Sequence, residues 1–328
     1  MAVRLERFRG LIAFVLVFLI GCFFTPKLAG TNLPVFLSWR TQKDILYEYC
    51  EYGLLATGMT LVILTGGIDL SVGSVVGLSA TLFALLTIGF GWAIAPAILV
   101  VIAMGIAVGL LNGLLLTRFK LQPFVATLAT MTAARGLAKV VSGGIKVQPA
   151  AAPWYKLTGN TPEFFTWMTR ALPGVGLPPA ALLFLLALAV AAVIASKTVF
   201  GRNLYAVGGN EEASRLAGIP VVRTKLAAYA ACAGLAALAG VVNACRQDLG
   251  DPEAGSTFEL DAIAAVVIGG TSLLGGRGSL WLTLLGVLIV AYINKILSLN
   301  ALPLGPRMIL QAAIIVIAVV LQRKKDSE

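Results

Sequence analysis

The segment Gly58–Ser74 constrains the fold more strongly than any other part of this chain. It begins as an apolar run typical of a membrane helix, breaks at Gly66-Gly67, and resumes as a second apolar run from Val72. One carboxylate, Asp69, stands in the break. A charge at the centre of a membrane helix costs about 2.5 to 3.5 kcal/mol on insertion scales. Broken helices at membrane depth are tolerated where they are buried in protein or line a cavity. The segment therefore predicts part of a pathway through a membrane.

The composition supports a polytopic membrane protein. Apolar residues make up 59% of the 328 residues and charged residues 12%, against roughly 45–50% and 25% in soluble domains. Because one membrane span needs about 20 apolar residues, the sequence predicts an all-α fold of about ten transmembrane helices in a single domain, 1–328. The predicted spans lie near 10–25, 52–66, 73–90, 93–116, 123–141, 179–196, 225–243, 260–271, 280–298 and 307–321. The second and eighth are short, and both end at glycine pairs.

The basic residues predict the orientation of the chain. They stand in short clusters between the apolar runs, so the net charge of +10 indicates membrane topology and not a nucleic-acid surface. With the amino terminus in the cytoplasm, the inner segments carry more lysine and arginine than the outer ones. An even number of spans then places both termini in the cytoplasm. Arg135 and Lys295 fall inside or near predicted spans, and we expect both to extend toward the outer interface.

The sequence offers no chemistry for an enzyme. Histidine, the commonest general base and metal ligand, is absent. The four cysteines are scattered without ligand spacing, so we predict no metal site, no cofactor and no catalytic residue, and a Cys50–Cys245 disulfide stays open. Gly270 and Gly275 have the spacing of a phosphate-binding loop, but Gly276 stands where such a loop requires lysine. Any energy from ATP must therefore come through another chain.

A second glycine-rich break echoes the first. Leu64–Ser74 resembles Val267–Ser279, and paired interrupted spans in the two halves of a chain indicate a transport pathway. Chance clustering of glycines in membrane helices is the alternative. The candidate pathway residues at the two breaks are Gly66, Gly67, Asp69, Ser71, Gly269, Gly270 and Thr271. Asp69 has two interpretations: a polar group that faces the pathway, or a cap that accepts backbone N–H groups of the helix beginning near Ser71.

The longest predicted cytoplasmic loop spans about 197–224 and contains a short helix. We interpret Gly208-Gly209-Asn210 as a turn, with Asn210 capping a helix of about two turns whose first turn carries two glutamates. Gly218 and Pro220 end this helix. Ala213 and Leu216 share one face. The helix either docks into a groove on a cytoplasmic partner or lies at the membrane interface, and the residues alone leave both open.

Four segments together resemble the ribose-type permeases of bacterial ABC monosaccharide importers. These segments are Gly58–Ser74, Leu121–Leu137, Gly201–Val221 and Phe258–Ser279. The resemblance runs from about residue 30 to 298, and the first and third motifs in this order are the most specific. The chain departs from the family pattern at Tyr47–Tyr52 and after Asn300.

The resemblance implies a function and a set of partners. The chain would be the membrane-spanning subunit of an ATP-driven importer in the bacterial inner membrane, moving a monosaccharide or a similar small polyol-like solute. Its partners would be an identical or homologous second permease, a cytoplasmic ABC ATPase, a periplasmic sugar-binding protein and membrane lipid. The coupling residues toward the ATPase would be Gly208, Gly209, Asn210, Glu211, Glu212, Ala213, Arg215, Leu216 and Gly218. The alternatives are an ion-coupled secondary transporter and an ABC permease for another solute, such as branched-chain amino acids.

Overall fold

The regular elements of the protein are helices. The computed structural model describes residues 2–149 and 161–303, together with six residues between 305 and 313, and it describes side chains from Gly10 onward. All named elements in these ranges are helical, which confirms the all-α prediction. The four cysteines are unpaired, so the Cys50–Cys245 disulfide does not form.

The helices follow one another with short connections. In chain order they are α1 (Ala2–Phe24), α2 (Trp39–Glu48), α3 (Cys50–Leu64), α4 (Val72–Ala84), α5 (Ile94–Thr117), α6 (Pro123–Ser142), α7 (Glu163–Thr169), α8 (Pro179–Lys197), α9 (Val199–Gly209), α10 (Glu211–Leu216), α11 (Val221–Gln247), α12 (Phe258–Gly269) and α13 (Leu280–Leu299). A 3₁₀ turn at Val35–Leu37 precedes α2, and a π-helical turn at Leu85–Gly89 continues α4.

Six helices in the described ranges are long and apolar enough to cross a membrane. They are α5, α6, α8, α11, α13 and the continuous segment Val72–Gly89. Two shorter apolar helices, Gly10–Phe24 within α1 and Cys50–Leu64, accompany them. α12 has only 12 residues and is therefore too short to span a bilayer unaided. The last predicted span, 307–321, lies largely outside the described residues.

α11 occupies the centre of the bundle, where it packs against α3, α4 and α5. Small residues bring the helix backbones close together. A Cβ added to Gly58 of α3 would lie 2.8 Å from the Cα of Cys232, and one added to Gly240 would lie 2.5 Å from the Cβ of Ser79. Small side chains are the usual means of close helix packing in membranes. The 27 residues of α11 exceed the predicted span of 225–243 at both ends.

Candidate functional site

The two short apolar helices end in the same backbone conformation. After α3, Gly66 has a positive φ of 78° and the Gly67 N–H donates to the Val62 carbonyl over 3.3 Å. After α12, Gly270 has a φ of 106° and the Thr271 N–H donates to the Val266 carbonyl over 3.2 Å. Both are left-handed helix ends of the kind that glycine permits. The prediction of two short helices that end at glycine pairs is therefore confirmed.

The structural correspondence between the two breaks differs by one residue from the sequence echo. The echo pairs Gly66 with Gly269, whereas Gly269 is the last residue of α12 and the left-handed position is Gly270. Thr271 consequently corresponds to Gly67. The Thr271 hydroxyl is buried and has no hydrogen-bond partner among the described residues.

The end of α9 touches both breaks. A Cβ added to Gly208 would overlap the carbonyl oxygen of Leu64 and would lie 2.5 Å from the Gly276 nitrogen. That same Leu64 carbonyl accepts a hydrogen bond of 3.1 Å from the Gly276 N–H. The Tyr205 hydroxyl donates to the Gly278 carbonyl over 3.1 Å, a second link between α9 and the loop after α12. We call the meeting point of Leu64, Gly208 and Gly276 the glycine junction.

The segment predicted to be a cytoplasmic loop is mostly helical. Gly208 and Gly209 are the last residues of α9 and do not form a turn, and only Asn210 is extended. The interpretation of Gly208-Gly209-Asn210 as a turn is thus wrong. The glycine pair suggested a turn, but α9 buries Leu204 and Val207, and this packing continues the helix through both glycines.

The short helix α10 has the predicted cap and is tied to α11. The Asn210 side chain accepts the Ala213 N–H over 2.9 Å, and Gly218 follows the helix with a positive φ of 75°. Glu211 receives the Lys225 ammonium of α11 at 2.6 Å. Ser214 of α10 is buried, whereas Glu212 and Arg215 form an exposed ion pair. The Leu216 side chain is 82% exposed, which is unusual for so large an apolar group.

Asp69 lies at the start of α4 in a buried hydrogen-bond network. Its Oδ1 accepts from the Ser71 N–H at 2.9 Å, from the Ser71 hydroxyl at 2.6 Å and from the Asn112 amide at 3.3 Å. Thr130 of α6 donates to the Asn112 Oδ1 over 2.6 Å. The side chain of Asp69 is completely buried, and its Oδ2 has no hydrogen-bond partner among the described residues. This bond to the second following N–H is an Asx turn just before α4, so both interpretations of Asp69 stay open.

Arg135 has a role that the sequence analysis did not find. Its Nη1 donates to the backbone carbonyls of Pro252 at 2.5 Å and Ala254 at 2.7 Å. The guanidinium therefore holds the segment between α11 and α12, and its extension toward the outer interface stays a prediction. Lys139 binds the Glu253 carboxylate of the same segment at 2.6 Å. An arginine inside an apolar helix was the one available signal.

Comparison with known proteins assigns the chain to a family. A family model described as "Branched-chain amino acid transport system / permease component" matches residues 43–319. The chain belongs to this permease family. The ribose import permease protein RbsC of Bacillus subtilis is 39% identical over 310 residues, which cover 94% of this permease and 92% of the relative. RbsC of Escherichia coli K12 is 37% identical over 299 residues, covering 91% and 90% of the two chains.

A further relative extends the range of the comparison. The xylose transport system permease protein XylH of Escherichia coli K12 is 34% identical over an alignment of 338 positions, gaps included, which covers 88% of this permease and 86% of the relative. No solved structure matches the chain.

The permease also contains a buried ion pair at the amino-terminal end of α3. Glu51 is 1% exposed, and its Oε1 receives the Arg246 guanidinium at 2.8 Å. Its Oε2 accepts the Asn243 amide over 2.8 Å. Nearby, the Lys295 ammonium binds the Glu48 carboxylate at 2.7 Å. Acids and bases far apart in the sequence form these pairs, and spacing alone does not match them.

The cap interpretation of Asp69 makes a testable prediction for the permease. An Asp69→Asn substitution keeps the Oδ1 acceptor, so we expect normal protein levels and uptake within about threefold of wild type. Asp69→Ala removes the acceptor and leaves buried donors unpaired, at about 1–3 kcal/mol for each group. We expect that variant to unfold at a lower temperature in detergent. Loss of uptake in a stable Asp69→Asn protein would instead show that the pathway needs the carboxylate charge.

Proposed function

We propose that this protein is the membrane-spanning permease subunit of an ATP-driven importer, and that it forms the pathway for a monosaccharide or a similar small polyol-like solute. Relatives named as ribose and xylose permeases align with about nine tenths of the chain at 34% identity or more. The similarity to these permeases does not favour the alternative of an ion-coupled secondary transporter. In this proposal the protein resides in the bacterial inner membrane.

The glycine junction is the observation that carries the mechanism. Importers need a mechanical link between ATP hydrolysis in one chain and a gate in another. Here α9 leads directly into α10, which carries the exposed Leu216. The end of α9 is in backbone contact with Leu64, the last residue of α3, and with Gly276 in the loop after α12. The contact involves main-chain atoms without intervening side chains, so a displacement of α9 must move Leu64 and Gly276 as well.

The coupling residues are assigned by their positions on this segment. α10 presents Glu212, Arg215 and Leu216 on the surface, where a groove of a cytoplasmic ATPase can receive them. Gly208 belongs to the glycine junction, Gly209 follows it, and Asn210 caps the start of α10.

The proposal includes the assembly and the topology. A periplasmic binding protein delivers the solute, a cytoplasmic ABC ATPase supplies the energy, and a second permease, identical or homologous, completes the conduit within the lipid bilayer. About ten spans place both termini in the cytoplasm. α3 and α12 would be the two interrupted spans.

Reconstitution tests this function directly. We expect the permease alone to give no uptake of labelled D-ribose or D-xylose, and its co-expression with a cognate ATPase and binding protein to give ATP-dependent uptake. Uptake into ATP-free vesicles driven by a proton or sodium gradient would contradict the proposal. The family description mentions branched-chain amino acids, so labelled leucine is the third solute to measure. ATP-dependent uptake of leucine without uptake of either sugar would show that the solute is an amino acid, while the ATP-driven mechanism of the proposal would stand.

A further inference from the structure

The segment between α11 and α12 penetrates the bundle alongside α4. Gly250 packs against Ala80 and Ala84, near the carboxyl end of α4, while Gly255 packs against Gly73 near its beginning. These positions on α4 are separated by about eight residues, or roughly 12 Å at 1.5 Å per residue. The segment 249–257 therefore runs alongside Val72–Gly89, which is long and apolar enough to cross a membrane, before α12 begins.

Glycines on α4 make room for this re-entrant segment. A Cβ added to Gly77 would lie 2.7 Å from the Ala254 carbonyl oxygen, and one on Gly73 would overlap both the Gly255 carbonyl and the Glu259 carboxylate. Arg135 fixes the same backbone from the α6 side through the carbonyls already described. The start of α12 is thus held at a defined depth.

A cleft with several polar side chains lies between this segment and α6. Its volume is about 410 Å³, within the roughly 300–1,000 Å³ of small-molecule sites. The polar residues that line it are Ser74, Thr132, Arg135, Lys139, Ser256, Thr257 and Glu259. Thr132, Ser256 and Thr257 are exposed in the single chain. Exposed polar groups at membrane depth are unfavourable against lipid, so this face must meet water or protein.

The chemistry of the cleft suits a neutral hydroxylated solute. Four hydroxyl groups and one carboxylate supply both donors and acceptors, which a sugar's hydroxyls require. The two N–H groups of Arg135 Nη1 already donate to backbone carbonyls. Lys139, the other cation that lines the cleft, is paired with Glu253 at 2.6 Å. Because both cations already have partners, recognition of an anionic group is disfavoured.

We propose that this cleft is a solute-contacting wall of the passage, in which Glu259, Ser256 and Thr132 bind the hydroxyl groups of a neutral monosaccharide. Arg135 is a positioning residue that sets the depth of the segment. The assignment of the solute class rests on the proposed function, whereas the assignment of the cleft to an aqueous passage does not.

Thiol labelling tests whether the cleft is aqueous. Thr132→Cys and Ser256→Cys are made in a Cys22→Ser background, since Cys22 is the only cysteine that is not buried. The control is Leu137→Cys, which lies on α6 at similar depth and is 51% exposed on another face. In proteoliposomes of the assembled transporter, we expect a membrane-impermeant maleimide to label the two cleft positions at least tenfold faster than position 137. Equal rates would overturn the proposal.

Uptake ratios test the contact with the solute. We expect Glu259→Gln and Ser256→Ala to change the ratio of D-ribose to D-xylose uptake at least threefold. A merely structural residue would lower both uptakes equally, and an unaltered ratio would therefore overturn the solute assignment. If the wild-type transporter moves neither sugar, the proposed function fails, and the labelling still decides whether the cleft belongs to a passage.

Discussion

A permease with Gly208→Ala is expected to lose at least nine tenths of its uptake while it still inserts and binds its ATPase. The added Cβ would overlap the Leu64 carbonyl and crowd the Gly276 nitrogen, both of which are backbone atoms. Because backbone cannot rotate away as a side chain can, the end of α9 must move out of the glycine junction. ATP hydrolysis should continue, since α10 itself is unchanged, so that hydrolysis and transport become uncoupled.

The neighbouring glycine provides the matched control. No atom lies within 4 Å of a Cβ added to Gly209. Gly209→Ala introduces the same methyl group in the same helix and raises helix propensity by the same amount, about 1 kcal/mol. We expect it to transport like wild type. Similar uptake in both variants, measured with labelled sugar and normalised to the amount of assembled complex, would disprove the role of the junction.

Glu51→Ala is expected to produce the largest loss of stability. The substitution leaves the Arg246 guanidinium in a largely buried position without its carboxylate, and such a loss costs about 3–5 kcal/mol. The midpoint of thermal unfolding of the purified permease in detergent should fall by roughly 5–10 °C. The measurement requires no transport activity.

Glu253→Ala is the natural comparison, because Glu253 pairs with Lys139 and both side chains are more than half exposed. An exposed pair is worth about 0–1 kcal/mol, so this variant should unfold close to wild type. The double variant Glu51→Leu/Arg246→Met removes both buried charges, and we expect it to be more stable than Glu51→Ala. If Glu51→Ala and Glu253→Ala unfold at the same temperature, the buried pair is not a major source of stability.

Local signals in the sequence were sufficient for the helices and their ends. The apolar runs predicted the all-α fold, and the glycine pairs predicted the ends of α3 and α12, because a left-handed helix end depends on a few adjacent residues. Asn210 was recognised as a cap for the same reason. The sequence echo nevertheless missed the one-residue offset, since Gly269 and Gly270 are the same residue type and only the backbone distinguishes them.

Long-range contacts could not be predicted in this way. The Leu64 carbonyl meets Gly208 and Gly276, and Arg135 meets Pro252, across more than a hundred residues of sequence. In both cases one partner is a backbone atom, which has no residue-specific signature. The coupling segment was expected to reach a partner, but its contact with the two breaks appears only in three dimensions.

The close approach of α11 to its neighbours limits which parts of the protein can move. Glycine, alanine and cysteine at many of its contacts bring this helix against the backbones of three others, with little side chain between them that could rearrange to absorb a shift. In the proposed transport cycle, we therefore expect the change between outward and inward access to occur around α11 as a fixed axis. The short helices α3 and α12 would tilt while this central column stays in place.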